Sequence, residues 1–421
     1  MRKYGILLDK KCFRIFCNLL IGEGTGGQKL KRKLRVLHVA SFIGNIGDNA
    51  NHKGSELLRN QFLDYEFDIT RKEMREFFWK KWIFNSDDFV NEANSYDLVM
   101  IGGGNYFELW VENSMTGSSI DINIDYLRKI NTPILFYSLG FDLGQGVPQA
   151  NIDKFRIFMD YLTSSSKYFV SVRNDGALDN FEKLYADRYK NKIAEIPDGG
   201  FFTYILNLKH YEIEYGMTNV IINVAGDMPE IRFPGTNGKI TYEEFTKDFA
   251  GIIDELNEEY SDNMNFIFVP HIFRDLKISY DIIDNVTDRV RRNNIKVAPY
   301  LIGDKGHDYI FSLYNQSDLV LGMRFHSNVC SYALMKNVIG LVNYVQLSNL
   351  YKDINSNEYV EVNKNGFTKE LIDKIRMHLN EKEKFESIAS MVKETLYEEA
   401  KIVYFKLNKW LEINFGGIER D

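Results

Sequence analysis

Short apolar runs that end in glycine, asparagine or aspartate alternate with helical stretches along most of this chain. This alternation is typical of βαβ units, and it predicts parallel sheets covered by helices. In the first half, strands are predicted at residues 34–40, 97–101, 133–138, 168–172 and 193–196. In the second half, they are predicted at residues 219–224, 265–269, 295–298, 319–321 and 338–342.

The alternation stops at residues 206–216 and then restarts, which indicates a domain boundary. A length of 421 residues also exceeds what one hydrophobic core usually supports. Beyond Phe367 the sequence is almost entirely helical in character. We therefore predict an α/β protein with an N-terminal Rossmann-like domain (1–210), a C-terminal Rossmann-like domain (211–365) and a helical extension (366–421) that packs back on the first. Two such domains facing a cleft form the arrangement of the GT-B glycosyltransferases.

The charge balance and the cysteine content exclude several classes of protein. With 52 basic and 59 acidic residues the net charge is −7, which gives no basic surface for duplex nucleic acid. The three cysteines, Cys12, Cys17 and Cys330, have neither disulfide-framework nor zinc-site spacing, so a reducing compartment is expected. We therefore expect no nucleic-acid partner and a cytoplasmic location, with the inner face of the cell membrane as the alternative.

The N-terminal segment at residues 10–21 (KKCFRIFCNLLI) superficially resembles a signal peptide. Arg14 and Asn18 interrupt its apolar run, and no small-residue cleavage site follows, so secretion is not expected. Two alternatives stay open: the segment packs on the domain, or it rests peripherally on a membrane surface.

The segment at residues 317–341 carries the strongest chemical signal. A predicted strand ends in a glycine turn, and Arg324, Phe325 and His326 follow before an amphipathic helix. The carboxyl end of a parallel strand opens onto the ligand crevice, where the next helix N-terminus attracts anions. A guanidinium and an imidazole at this point predict an anion site beside a group that can transfer a proton.

Two glycine-rich turns follow predicted strands of the first half. Asp48, at the end of the first turn, is a candidate helix cap or acid/base residue. Glycines let a backbone approach a ligand closely, although a tight turn or packing against the other domain explains them equally well. The candidate binding residues on these turns are Gly44, Asn45, Gly47, Gly102, Gly103, Gly104 and Asn105.

Arg173 and His271 each come directly after a predicted strand. Arg173 is able to hold a phosphate or carboxylate, or to pair with Asp175 or Asp198 and only fix its loop. His271 is a candidate acid or base, with Asp275 as the group that orients its ring. The remaining histidines are assigned no chemistry: His38 and His52 are predicted to be structural, and His210, His307 and His378 to face solvent.

Taken together, GNIGDNA, DLVMIGGGN, SVRND, PDGG, VPH and SDLVLGMRFHSNV follow in the order seen in the polysaccharide pyruvyl transferase family. The resemblance spans residues 36–341, and the glycine-x-Arg-x-His turn is its most specific part. The chain departs from the family in Arg173-Asn174-Asp175, where Arg-Asp-Glu is usual, and at Asn49.

The resemblance implies a GT-B-like enzyme that moves the enolpyruvyl unit of phosphoenolpyruvate onto a sugar of a cell-surface polysaccharide or its lipid-linked precursor. The product would be a pyruvate ketal, with loss of phosphate and with neither a further cofactor nor a metal. Arg173 and Arg324 would contact phosphoenolpyruvate, and His326 would be the functional histidine.

Ketal formation needs both an acid and a base, so we predict His326 as the principal acid/base, with His271 or Asp48 as the second. Tyr106, Phe107 and Trp110 are predicted either to stack on the acceptor sugar or to pack in the core. Two other functions stay open: a GT-B nucleotide-sugar glycosyltransferase and a non-catalytic glycan-binding protein.

Overall fold

The structure is a computed structural model that describes residues 31–416. Within this range twelve strands form two parallel sheets of six strands each, and every strand predicted from the sequence has a counterpart. The basic, aromatic segment at residues 10–21, for which domain packing and membrane-surface binding were both left open, lies outside the described residues, as do Cys12 and Cys17.

The first sheet has the strand order β2-β1-β3-β4-β5-β6. Its strands β3 and β4 are buried along their whole length, because helices cover both faces. The strands are β1 Arg32–Ala40, β2 Tyr65–Glu73, β3 Leu98–Gly102, β4 Ile134–Leu139, β5 Tyr168–Val172 and β6 Ala194–Glu195. The helices are α1 Ile46–Phe62, α2 Met74–Phe78, α3 Asp87–Asn94, α4 Ile124–Lys129, α5 Gln149–Leu162 and α6 Ala177–Tyr185, with 3₁₀ turns at Ala186–Tyr189 and Gly199–Phe202.

The second sheet has the order β12-β11-β10-β7-β8-β9. Its strands are β7 Thr218–Asn223, β8 Met264–Phe268, β9 Ile295–Val297, β10 Leu319–Gly322, β11 Val338–Val342 and β12 Tyr359–Glu361. Its helices are α7 Pro229–Arg232, α8 Tyr242–Glu259, α9 Asp275–Asn285, α10 Asp288–Asn293, α11 Gly303–Asn315, α12 Phe325–Ala333, α13 Val345–Asp353 and α14 Phe367–Asn380. The last helix, α15 Lys382–Phe415, follows α14 closely.

The terminal helix α15 contacts the first sheet and its helices. The hydroxyl of Tyr404 is hydrogen-bonded to that of Tyr137 on β4, and Trp410 Nε1 donates to the carbonyl of Ser166 at 2.7 Å. Asn408 Nδ2 donates to the carbonyl of Phe62, at the end of α1, at 2.7 Å. The chain therefore returns to its first half after building the second sheet. The domain boundaries at residues 210 and 365 stay predictions.

Two sheet-edge strands and one helix break differ from the sequence-based prediction. Strands β2 and β12 were not predicted, because both are partly exposed edge strands and their sequences lack a continuous apolar run. The helical sequence pattern of residues 280–292 is divided between α9 and α10. Thr287 separates the two, and its N–H and hydroxyl both donate to Asp254.

The prediction that His210, His307 and His378 face solvent is wrong. All three side chains are buried, because each ring finds polar partners inside the protein. His210 Nε2 lies 3.0 Å from Ser312 Oγ, and His307 Nε2 lies 2.8 Å from Thr203 Oγ1. No helix within residues 31–416 combines the length and the apolar character required to cross a membrane.

Candidate functional site

A cavity of about 160 Å³ lies between the carboxyl ends of the two sheets. Loops that follow β1, β3 and β5 meet there with loops that follow β8, β10 and β11. A larger cavity of about 580 Å³ beside β5 and β6 contains none of the residues that the sequence singled out. The smaller cavity is lined by Asn45, Asp48, Asn105, Arg173, Arg232, His271, Met323, Arg324, Phe325, His326, Tyr344, Gln346 and Leu347.

His326 projects from the second half into a slot formed by the first. A Cβ atom on Gly47 would lie 2.4 Å from His326 Nδ1, and one on Gly200 would lie 3.3 Å from its Cδ2. Gly47 is therefore needed to admit the imidazole ring, and Gly200 leaves it little room on the other side. His326 Nε2 lies 3.4 Å from Asp198 Oδ1, within ion-pair range, but it makes no hydrogen bond to a described residue. Nε2 is thus enclosed in the slot and faces the Asp198 carboxylate.

Asp198 joins His326 to Arg173. Its Oδ2 accepts hydrogen bonds from Asn51 Nδ2 at 3.2 Å and from Arg173 Nη1 at 3.4 Å. Burial alone would raise the pKa of Asp198, but the nearby His326 and Arg173 hold it below its ordinary value. The sequence marked the PDGG turn as a motif and Asp198 as an alternative partner of Arg173. It did not mark this carboxylate as a site residue.

Arg173 makes the ion pairs that the sequence left open as an alternative. Its Nε donates to Asp175 Oδ2 at 2.6 Å, and its guanidinium carbon lies 4.9 Å from the centroid of the Phe325 ring. Gln346 of the second half also donates to Asp175 Oδ2, at 2.8 Å. Arg173 Nη2 makes no hydrogen bond to a described residue, so this group keeps N–H donors for an anion.

Arg324 is held by two aspartates of its own half. Its Nε and Nη2 donate to Asp275 at 2.8 and 2.5 Å, and Nη2 also donates to Asp227 at 2.6 Å. Among residues 31–416, Nη1 has no hydrogen-bond partner. Arg324 is also the N-cap of α12 and provides no side-chain cap, which leaves the positive end of that helix without a capping group.

Arg232 is a third buried cation at the cavity, and the sequence analysis missed it. Its Nη1 donates to Asn343 Oδ1 at 3.0 Å, and its guanidinium carbon lies 5.1 Å from the centroid of the Tyr344 ring. Its Nη2 reaches Asp227 at 3.4 Å. Burial alone would raise the pKa of Asp227. The neighbouring Arg324 and Arg232 nevertheless lower it to about 2. Arg232 ends α7 rather than a strand, so the strand-end criterion did not reveal it.

His271 lies in the wall of the cavity, and the prediction that Asp275 orients its ring is wrong. Asp275 Oδ2 accepts from the backbone N–H of His271 at 3.0 Å, whereas the ring Nε2 lies 2.9 Å from the hydroxyl of Tyr314. Burial, followed by the neighbouring Arg324 and His326, holds the pKa of His271 well below its ordinary value. The ring is therefore neutral, and its buried Nδ1 has no hydrogen-bond partner in the described chain.

The first glycine-rich turn supplies two polar groups to the cavity. Asn45 caps α1, because its Oδ1 accepts from the N–H of Gly47 at 3.0 Å. Burial raises the pKa of Asp48, while Arg75, with Nη2 3.5 Å from its Oδ2, opposes that rise. Gly44 lies against Arg75 rather than against the cavity, with a φ of 95°. Asp48 is thus a carboxyl group suited to carry a proton.

The second glycine-rich turn contributes only Asn105 to the cavity lining. Its glycines pack inside the first half. A Cβ on Gly102 would lie 2.0 Å from the carbonyl oxygen of Tyr137, and Cβ atoms on Gly103 and Gly104 would meet the rings of His52 and Tyr106. The hydroxyl of Tyr106 accepts from the N–H of Ser41 at 2.6 Å, and Phe107 is fully buried in the core. Core packing therefore accounts for these two aromatic residues.

Glu108 extends the polar network behind Asn105. Asn105 Nδ2 lies 3.4 Å from Glu108 Oε1, and Ser119 Oγ donates to Oε2 at 2.8 Å. Burial is the main cause that raises the pKa of Glu108 to about 7, and the nearby Asp142 adds to the rise. The sequence analysis did not single out this carboxyl group, because nothing in the local pattern distinguishes it from a surface glutamate.

A model of the polysaccharide pyruvyl transferase family matches residues 45–344, which include all the residues that line the cavity except Gln346 and Leu347. The chain belongs to this family. No match was found among curated protein sequences.

Solved structures with low sequence identity share the fold of this family member. The UDP-GlcNAc 2-epimerase of Neisseria meningitidis bound to UDP-GlcNAc is 12% identical, with a TM-score of 0.52 over 89% of this chain and 100% of that one. A putative UDP-N-acetylglucosamine 2-epimerase of Listeria monocytogenes is 11% identical, with a TM-score of 0.55 over 93% and 99%. The N-terminal domain of a Candida albicans trehalose-6-phosphate phosphatase is 11% identical, with a TM-score of 0.53 over 92% and 99%. These likenesses confirm the predicted GT-B-like fold and are used for the fold alone.

Proposed function

We propose that this pyruvyl transferase moves the enolpyruvyl unit of phosphoenolpyruvate onto a sugar of a cell-surface polysaccharide or its lipid-linked precursor. Family membership supports the class of reaction. The observation that carries the donor assignment is the convergence of Arg173 and Arg324 on one cavity, each with an unused N–H donor. The reaction as proposed uses phosphoenolpyruvate as donor, with neither a further cofactor nor a metal, and it takes place in the cytoplasm or at the inner membrane face.

The second half forms the donor side in this proposal. Phosphoenolpyruvate carries a phosphate and a carboxylate, and the second half offers Arg324, Arg232 and the N-terminus of α12. Asp227 and Asp275 hold Arg324 in place, so little side-chain entropy is lost when an anion binds. Arg173 approaches the same cavity from the first half, where it would stabilise the phosphate as it leaves.

The first half forms the acceptor side. One sugar hydroxyl bonds to the central carbon of the donor as the methylene carbon gains a proton, and a second hydroxyl replaces the phosphate to close the ketal. The two hydroxyls each lose a proton, while the methylene carbon gains one to become the methyl group and the other leaves with the phosphate. His326 is the principal acid/base, and Asp48 suits the second role better than His271. Asp48 has a raised pKa at the cavity, whereas the ring of His271 is committed to Tyr314.

The donor assignment is tested by thermal unfolding with phosphoenolpyruvate or with a nucleoside diphosphate. A ligand at about 100 times its dissociation constant adds about 2.7 kcal/mol, which raises Tm by several degrees. We expect phosphoenolpyruvate to stabilise the wild type and the control Arg188→Lys, in which a surface ion pair is altered, and to stabilise Arg324→Lys much less. Stabilisation by the nucleotide alone would instead support a nucleotide-sugar glycosyltransferase. Glycan binding without phosphate release would support a non-catalytic protein.

A further inference from the structure

An exposed aromatic and basic loop, residues 78–83, lies at the carboxyl edge of the first sheet. Its sequence is FWKKWI, and all six residues are exposed. Phe78 is 69% exposed, Trp79 58% and Ile83 55%. Single exposed apolar residues are ordinary on protein surfaces, but a continuous group of them marks an interaction surface.

The core fixes both ends of this loop. Phe77 precedes the loop and Phe84 follows it, and their rings stack with centroids 3.9 Å apart. Phe89 packs edge-on against both rings, with centroid distances of 5.5 and 5.2 Å. Lys72 Nζ lies 3.7 Å from the centroid of the Trp82 ring and is paired with Glu92. The exposed side chains are therefore displayed by a well-packed support.

The chemistry of the loop matches a lipid headgroup surface. Residues 71–85 contain five basic and two acidic residues, in a chain whose net charge is −7. Lys80 and Lys81 stand between two tryptophans. Lys81 is paired with Glu76 at 2.9 Å, whereas Lys80 has no ion-pair partner in residues 31–416. Tryptophan rings favour the membrane–water boundary, and lysines favour anionic headgroups. The centre of a protein-binding patch is instead depleted in lysine.

The loop also adjoins the proposed active site. Arg75, on the helix that leads into the loop, donates to the carbonyl of Ile43 and lies 3.5 Å from Asp48. Ile43 is 43% exposed, so an apolar side chain is also displayed beside the first glycine-rich turn. A flat surface bound to residues 78–83 would therefore lie beside the mouth of the cavity.

We propose that residues 78–83 dock the protein on the headgroup surface of an anionic bilayer and present the cavity to an acceptor carried by that bilayer. The choice of a bilayer-borne acceptor rests on the proposed function. The docking rests on the loop itself, so the two are tested separately.

The test is flotation of the full chain with vesicles of phosphatidylcholine alone or mixed with phosphatidylglycerol. We expect the wild type to bind the anionic vesicles, and to bind them less at high salt. Replacing two exposed rings in Phe78→Ser/Trp79→Ser should weaken partitioning by about 10-fold or more. The matched control is Ile402→Ser/Phe405→Ser on α15, whose side chains are 64% and 60% exposed. It should bind like the wild type.

Absence of wild-type binding to anionic vesicles would overturn the docking proposal, and so would equal binding to neutral vesicles. Undiminished binding of the Phe78→Ser/Trp79→Ser variant would place the contact elsewhere on the chain. An equal loss in the α15 control would show that the effect is not specific to the loop. Capture of a protein partner by this loop without vesicle binding would also count against it. All variants should keep the Tm increase with phosphoenolpyruvate, and loss of that increase in the wild type would contradict the proposed function while leaving vesicle binding intact.

Discussion

Each half of the molecule brings a buried arginine to the cleft, but the two arginines are held differently. Arg324 is bound by Asp227 and Asp275, which belong to its own half. Arg173 is bound by Asp175 and Asp198, and Asp198 also lies 3.4 Å from His326 of the other half. The cluster around Arg324 is therefore complete by itself, whereas the cluster around Arg173 includes a residue from across the cleft.

The carboxyl groups of the two halves also differ in how their pKa is shifted. In the second half, the pKa of Asp227 is lowered to about 2, which keeps it ionised beside the arginines. In the first half, burial raises the pKa of Asp48 and raises that of Glu108 to about 7, whereas His326 and Arg173 lower the pKa of Asp198. The first half therefore combines a carboxylate that faces His326 with two carboxyl groups whose pKa is raised, whereas Asp227 of the second half holds the arginines.

The largest effect is expected for His326→Gln, which removes the imidazole that reaches from the second half to Asp198 in the cluster around Arg173. Loss of an acid/base group lowers turnover by about 10²- to 10⁴-fold. The measurement is phosphate release from phosphoenolpyruvate in the presence of a sugar acceptor. The Tm increase with phosphoenolpyruvate should persist, because the donor contacts are with arginines. Turnover close to that of the wild type would remove His326 from the mechanism.

The comparison between the arginines is tested by Arg324→Lys and Arg173→Lys. Lysine keeps the charge but loses the planar set of N–H donors. Losing charge-assisted hydrogen bonds at Arg324 should weaken phosphoenolpyruvate binding by about 10- to 100-fold. Arg173→Lys should lower kcat more than it raises KM, because Arg173 acts on Asp198 and the leaving phosphate. If both variants changed kcat and KM equally, the two arginines would have the same role in donor binding and turnover.

The packing of His326, from the second half, against Gly47 of the first half is tested by Gly47→Ala. An added Cβ would meet the His326 ring at 2.4 Å, and Gly200 limits the movement of that ring on its other side. We expect a loss of about 1–3 kcal/mol in the free energy of unfolding, measured by urea denaturation. The control is Gly251→Ala in α8, where nothing lies within 4 Å of the added Cβ, and it should stabilise by about 0.5–1 kcal/mol. A Gly47→Ala variant stabilised like this control would mean that the imidazole ring does not occupy the slot.

The sequence predicted the strands better than the partners of the site residues. Strands such as β3 and β4 are buried on both faces, so each carries an unbroken apolar run that the sequence reveals. Arg173 and Arg324 were identified because each of them follows one of these recognisable apolar strands. The edge strands β2 and β12 were not predicted, because their exposed residues interrupt the apolar run.

The rest of the site depends on contacts between distant segments. Asp227 reaches Arg324 only because β7 and β10 are neighbours in the second sheet. Arg232 joins the same carboxylate from a short helix that no strand pattern marks. Gly102 looked like a ligand-binding glycine, but β3 and β4 approach so closely that its Cβ position is already occupied. Only the three-dimensional packing distinguishes such a glycine from one that faces a ligand.

The smallest effect is expected for the pH dependence of stability at Glu108. Its pKa is about 7 in the folded protein, against an ordinary value of 4.5. The folded state therefore binds more protons than the unfolded state between these values, so this residue makes stability fall as pH rises from about 4.5 to about 7. In Glu108→Gln, which stays neutral, that contribution should be absent. Part of the Glu108 side chain reaches solvent, so we expect a difference of about 1–2 kcal/mol between the two proteins.

Urea denaturation of the wild type and Glu108→Gln across pH 4–8 measures this difference. Ser119→Ala supplies a second comparison, because the Ser119 hydroxyl favours the charged carboxylate. Its removal should enlarge the fall and extend it to higher pH. A constant difference between wild type and Glu108→Gln over the whole range would show that folding leaves the pKa of Glu108 unchanged. Asp48 would then be the carboxyl group of the first half that lines the cavity with a raised pKa.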